Sequence, residues 1–108
     1  AFNIKKGKAE SGFTELYFIQ NLPKEIKASQ DYNFSFAIHN VEGKTANYTY
    51  VVYVKTDAIA SQQLTLGHDK SAVITQHFNV TALENSTIPI SVKILNNGQE
   101  IHFWVNAR

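Results

Sequence analysis

Residues 39–50, "HNVEGKTANYTY", read in two incompatible ways, and the fold class depends on which one holds. Gly43-Lys44-Thr45 matches the last three residues of a phosphate-binding loop, which needs a strand before it and a helix after it. That loop also needs a glycine five residues before its Gly-Lys-Thr, so that the backbone can curl around a phosphate, and Ile38 stands there. Ala46 to Tyr50 then continues as an alternating aromatic run suited to a strand. The stretch is therefore a corner between two strands, with Gly43 adopting a backbone angle closed to other residues.

On both sides of this corner, apolar, β-branched and aromatic residues recur with period two, and no window keeps the spacing of an amphipathic helix. "FTELYFIQ", Phe13 to Gln20, is the first strand and is stopped by Asn21 and Pro23. In "YNFSFAIH", Tyr32, Phe34, Phe36 and Ile38 form a buried face against Asn33, Ser35, Ala37 and His39. "ANYTYVVYVK" sets Tyr48, Tyr50, Val52 and Val54 against Thr49, Val51, Tyr53 and Lys55, so both faces are partly apolar, as in a central strand. Ala58 to Leu66 reads either as a weak edge strand or as one helical turn.

Ala72 to Val80 alternates again, and "TIPISVKIL" turns Ile88, Ile90, Val92 and Ile94 inward. Pro89 cannot donate to a ladder, which places the start of that strand on an edge or bulge. "NNGQ" predicts a tight hairpin, with Asn97-Gly98 supplying positive φ angles, before "EIHFWVN". There, Ile101, Phe103 and Val105 oppose His102, Trp104 and Asn106. About seven antiparallel strands in a chain of this size predict an all-β immunoglobulin or fibronectin-like sandwich over residues 13–108.

The chain has 108 residues, long enough to bury a core without staples, and it has no cysteine for a disulfide framework or a thiolate site. Its net charge of +1 lacks the one-signed field of a nucleic-acid binder. The basic cluster Lys5, Lys6 and Lys8 falls in residues 1–12, read as a solvated tail or linker rather than a contact for an anionic membrane. The longest apolar run, Tyr50 to Val54, is five residues, far short of the ~20 that span a bilayer. With no methionine, Ala1 is expected to begin a processed chain or excised domain whose signal or membrane segment lies elsewhere.

Four N-x-Ser/Thr sequences occur, at Asn33, Asn47, Asn79 and Asn85, a mild excess over the roughly 1.4 that chance gives for this composition. Asn47 and Asn85, near strand ends, are the best placed for a glycan. The four histidines form no recognisable ligand spacing, and metal binding would need His39 and His77 to meet across strands near Asp69. Ordinary surface histidines are the simpler reading, so no metal or cofactor is expected. No nucleophile elbow or paired carboxylates mark a catalytic centre, and no enzyme is expected. Aromatics on a sandwich face can stack on sugars, which makes Tyr53 and Trp104 a candidate ligand platform; the competing reading packs Trp104 and most tyrosines into the core or across strands.

"FTELYFI", "IHNVEGKTANYTYVVYV", "HFNVTALENSTIPISVKIL" and the terminal "IHFWVN" resemble the extracytoplasmic C-terminal domain of an uncharacterised family of predicted membrane proteins in archaea and some bacteria. "HNVEG" stands where that family has "NHEG", keeping Gly43 and the nearby Glu42, while Ala58 to Asp69 matches none of its phrases. The resemblance implies an immunoglobulin-like sandwich displayed outside a membrane, in a membrane-anchored parent, with no activity or catalytic residues to carry over. The expected function is a noncatalytic structural or interaction module with a protein or glycan partner at the cell surface. The alternative is a carbohydrate-binding module.

Overall fold

The computed structural model describes residues 12–80 and 86–107. Its strands are β1 (Phe13–Phe18), β2 (Glu25–Ile26), β3 (Asp31–Val41), β4 (Ala46–Val54), β5 (Asp57–Leu66), β6 (Ser71–Asn79), β7 (Ser86–Ile94) and β8 (Glu100–Ala107). No residue among those described is helical. One sheet has the order β1-β3-β6 and the other β2-β8-β7-β4-β5. The protein is an all-β, two-sheet immunoglobulin-like sandwich.

Several boundaries differ from the sequence expectations. Ala58 to Leu66 is a true strand, β5, paired with β4 along its length and bulged where Val52 opposes Ala60 but Tyr53 opposes Ala58. Its connection to β4 is the two-residue turn Lys55-Thr56, in which Lys55 takes φ 58°. No glycine or asparagine announces that turn, which is why the segment is ambiguous in sequence. The two-residue β2 was not anticipated, and it pairs in parallel with β8, the exception to an otherwise antiparallel arrangement.

The closing hairpin is looser than expected. Ile94 N–H donates to the Gln99 carbonyl at 2.8 Å and Gly98 N–H to the Ile94 carbonyl at 2.9 Å, so Leu95 to Gly98 form the loop. Gly98 has φ 77°, but Asn97 does not share the positive angle. Instead the Asn97 side chain accepts from Gln99 N–H at 2.8 Å, a local turn made by the amide itself.

Pro89 sits as its chemistry requires. β7 pairs with β8 from Ser86 onward, but β4 reaches only Ile90, opposite Val54. The missing proline N–H thus faces the side where β4 has already ended, and no ladder bond is lost.

The core lies between the sheets. From the smaller sheet come Phe34, Phe36, Ile38 and Phe78; from the larger, Tyr48, Tyr50, Val52, Ile88, Ile90, Val92, Ile94, Phe103 and Val105. Phe34 touches the rings of Phe18, Phe36, Phe78 and Phe103 at centroid distances between 5.2 and 6.1 Å. Truncating such a residue to alanine removes about 3–5 kcal/mol. Val51 and Ser91 are buried as well, although they point to the outer face, which agrees with β4 as an interior strand packed on both sides.

Candidate functional site

The corner after β3 is held by Asn40, a fully buried polar residue. It follows Phe34, Phe36 and Ile38 on the inward parity of β3, so its side chain enters the space between the sheets. Its Nδ2 donates to the carbonyls of Lys44 at 2.8 Å and Leu66 at 2.7 Å, and its Oδ1 accepts from Glu42 N–H at 2.8 Å. Its own N–H donates to the Lys70 carbonyl, and its carbonyl accepts from Asp69 N–H. Every polar group of this residue is thus engaged: the side chain ties β3 to the segment entering β4 and to the end of β5, and the main chain ties it to the turn into β6. Gly43, at φ 83°, makes the bend, and its N–H donates to His68 Nδ1 at 3.0 Å.

A second polar group lies beneath the corner. The Thr14 hydroxyl donates to Glu42 Oε2 at 2.7 Å, and because it has one hydrogen, the Tyr48 hydroxyl at 2.8 Å is the donor toward Thr14. Gln99 Nε2 donates to the Thr14 carbonyl at 2.9 Å. Gly12 approaches so closely that a Cβ there would stand 2.3 Å from Glu42 Cα.

On the outer face of the smaller sheet, His39 is clamped between two carboxylates. Its Nδ1 lies 2.6 Å from Glu15 Oε1 and its Nε2 lies 2.9 Å from Asp69 Oδ1. A neutral imidazole has one N–H, so satisfying both acceptors favours the imidazolium. The hydrogen bond to Glu15, then that to Asp69, raises the His39 pKa above its ordinary value. The same bond to His39 lowers that of Asp69. With both nitrogens committed, His39 has none left to serve as a general base.

The arrangement corrects one metal-site possibility. Asp69 does lie beside His39, but His39 pairs with Ser71 while His77 pairs with Asn33, so the two histidines stand six residues apart along the ladder, roughly 20 Å. Among the described residues no group of three His, Cys, Asp or Glu side chains is placed to hold a metal ion.

The sequence-derived candidates fall in separate places. Asn47 is exposed at the start of β4, where its Oδ1 accepts from the Thr65 hydroxyl at 2.7 Å. It borders a surface recess of about 580 Å³ that is also lined by Thr49, Gln63, Thr65 and Asn96. Asn85 lies outside the described residues. Tyr53 and Trp104 share the outer face of the larger sheet, Tyr53 opposite Ser91 and Trp104 opposite Pro89. Two strand spacings, about 10 Å, plus a two-residue offset along the strands separate them.

Trp104 is 55% exposed, so the reading that packs it into the core is corrected: its same-face neighbours on β8, His102 and Asn106, are polar and it faces solvent, with the His102 ring edge-on at 5.8 Å. Tyr53 is half-buried, while Tyr48 and Tyr50 are core residues, as the packing reading expects. Asn40 and Thr14 carry the corner and were not singled out in the sequence. Asn40 had one signal, an asparagine continuing the inward parity of three large apolar residues.

No protein-family model matches the chain, and no curated protein sequence matches it. Solved structures do. The chain superposes on the crystal structure of a CARDB domain from Pyrococcus furiosus, a complex with di-metal ions, with a TM-score of 0.78, 14% identity and coverage of 94% of this chain and 97% of that one. A solution NMR structure of that Pyrococcus furiosus domain gives a TM-score of 0.71 at 17% identity, covering 89% of this chain and 96% of that one. A β-glucosidase from Listeria innocua matches with a TM-score of 0.74 at 14% identity, covering 89% of this chain but 16% of the enzyme. At these identities the likeness is one of fold, and in the glucosidase it concerns a small part of the chain.

Proposed function

We propose that this chain is a noncatalytic immunoglobulin-like module of an extracytoplasmic, membrane-anchored protein, with a structural or interaction role. The observation that carries the reading is the fold: a two-sheet sandwich that corresponds over nearly its whole length to the CARDB domain of a Pyrococcus furiosus protein. The closed His39 clamp supports the noncatalytic part, since the one histidine set between carboxylates is spent on holding strands together. Protease treatment of intact native cells, followed by detection of this domain, tests the location. Digestion of the domain is expected; protection until the cells are lysed would sink the extracytoplasmic assignment. Glycan attachment at Asn47 and Asn85 belongs to the same reading and is checked by mass spectrometry of peptides from the native host.

A second reading, carbohydrate binding, is favoured by the exposure of Trp104. The ring stands beside His102 and opposite Pro89, with Tyr53 farther along the same face, an arrangement that suits stacking on sugar rings. Trp104 is the sole tryptophan, so its fluorescence reports on this face directly. Titration with a panel of oligosaccharides is expected to change that emission for a ligand of the platform, with the response weakened in Tyr53→Ala. An unchanged signal across the panel would remove this reading.

A further inference from the structure

Strand β6 is the open edge of the smaller sheet: β3 pairs with one side, and among the described residues no strand stands on the other. The bond from Asn40 N–H to the Lys70 carbonyl fixes the phase of the β3–β6 ladder. Ala72, Ile74, Gln76 and Phe78 turn their backbone groups toward β3, and Ser71, Val73, Thr75, His77 and Asn79 turn theirs outward. This outward edge contains no Lys, Arg, Asp, Glu or Pro and no bulge.

The other edges carry protection. β2 is two residues long, and β5 begins at Asp57 and bulges at Ile59. The free side of β1 is engaged by the loop of the β7–β8 hairpin, where Gln99 reaches the Thr14 carbonyl, and the strand carries a charge at Glu15. Charges, prolines, bulges and brevity are the usual guards against edge pairing, and β6 has none of them.

We propose that β6 pairs antiparallel with β6 of a second copy of this chain, about a two-fold axis at Thr75. In that register Thr75 opposes Thr75, Val73 opposes His77 and Ser71 opposes Asn79. All five outward residues then fall in hydrogen-bonded pairs and exchange both of their backbone bonds. The register meets no repulsion, because the strand has no acidic or basic residue other than His77, which faces Val73 rather than a second charge. A net charge of +1 adds little long-range repulsion between copies.

The outer face supplies continuity. Tyr17, Ala37 and Val73 form one row across β1, β3 and β6, and Tyr17 and Val73 are 45% and 66% exposed. Joining two edges makes a six-stranded sheet in which this apolar row runs up to the second copy. A closed two-fold dimer follows, since one patch serves both copies. The proposal goes beyond the module reading by naming its partner. It stands or falls on self-association, while that reading stands or falls on location.

Sedimentation velocity of the chain over roughly a hundredfold range of concentration is the test, because an interface this small associates weakly. The sedimentation coefficient is expected to rise toward that of a dimer. In Val73→Lys, whose thermal melt shows an intact fold, the rise should disappear. Mild oxidation adds a register check, as the chain has no cysteine of its own. Thr75→Cys places two thiols on Cα atoms about 5.5 Å apart and should give a disulfide-linked dimer. Val73→Cys, whose copies lie roughly 14 Å apart along the strands, should not. A monomer throughout the range, a dimer that persists in Val73→Lys, or an edge that captures only an unrelated extended peptide would each overturn the proposal.

Discussion

Asn40 Nδ2 lies 2.7 Å from the carbonyl of Leu66, a residue 26 positions farther along the chain and in the other sheet. This bond, with its companion to Lys44, lets a buried amide replace the ladder that the two sheets do not share at the corner. Leaving such groups buried without partners costs about 1–3 kcal/mol each. Asn40→Ala is therefore expected to lower unfolding stability by several kcal/mol in urea titration. Asn40→Asp should be at least as damaging, because a carboxylate cannot donate to two carbonyls. Wild-type stability in the aspartate variant would mean that the amide is not what holds the corner.

Gly43 tests the backbone rather than packing. No atom lies within 4 Å of the position its Cβ would take, so substitution meets no clash, only the φ of 83°. Gly43→Val should destabilise by about 1 kcal/mol or more, and Gly43→Asn by less, since asparagine tolerates the left-handed region. Equal melting temperatures for the valine variant and the parent would show that the bend has relaxed.

The His39 clamp gives stability a direction with pH. The His39 pKa is raised in the fold, first by Glu15 and then by Asp69, so its contribution is complete below the unfolded value of 6.5 and is lost as pH rises through the folded value. Asp69 acts in the opposite sense: its pKa is lowered, so its contribution is present above 3.8 and fades as pH falls through the folded value. Denaturation midpoints should thus decline on the alkaline side of 6.5 in the parent chain. In His39→Gln that decline should be smaller. Parallel profiles for the two proteins would show that the clamp is not the source of the decline.

The Tyr48 hydroxyl reaches from the larger sheet to Thr14 of the smaller one at 2.8 Å. Tyr48→Phe keeps the ring in the core and removes only that donor, with an expected loss of about 1 kcal/mol. A double cycle with Thr14→Val should show coupling between the two sites, since they share the bond. Additive losses in chemical denaturation would argue that the hydroxyls act independently.

Much of the fold is legible because strand burial has a period of two. The alternation Phe34-Phe36-Ile38, Tyr48-Tyr50-Val52 and Ile88-Ile90-Val92 places each inner face correctly, and the lone Gly-Lys-Thr is set aside by Ile38 where a glycine is required. β5 is obscure for a physical reason: it is an edge strand, exposed on most of its length, entered through Lys55-Thr56 rather than through a glycine or asparagine turn. The platform was half legible. Parity puts Trp104 opposite Phe103 and Val105, but whether the outer face is covered depends on other strands.

The sequence by itself determined the all-β class, the strands' inner faces and the bend at Gly43, because local sterics and alternation act over a few residues. Tertiary structure decided which strands meet. It brought Glu15, His39 and Asp69 into one clamp, kept His77 away from it, buried Asn40 against Leu66, exposed Trp104 and, among the described residues, left one edge of β6 without a strand beside it. Those outcomes depend on pairing between segments far apart in the chain, where register is set by how both sheets close over one core.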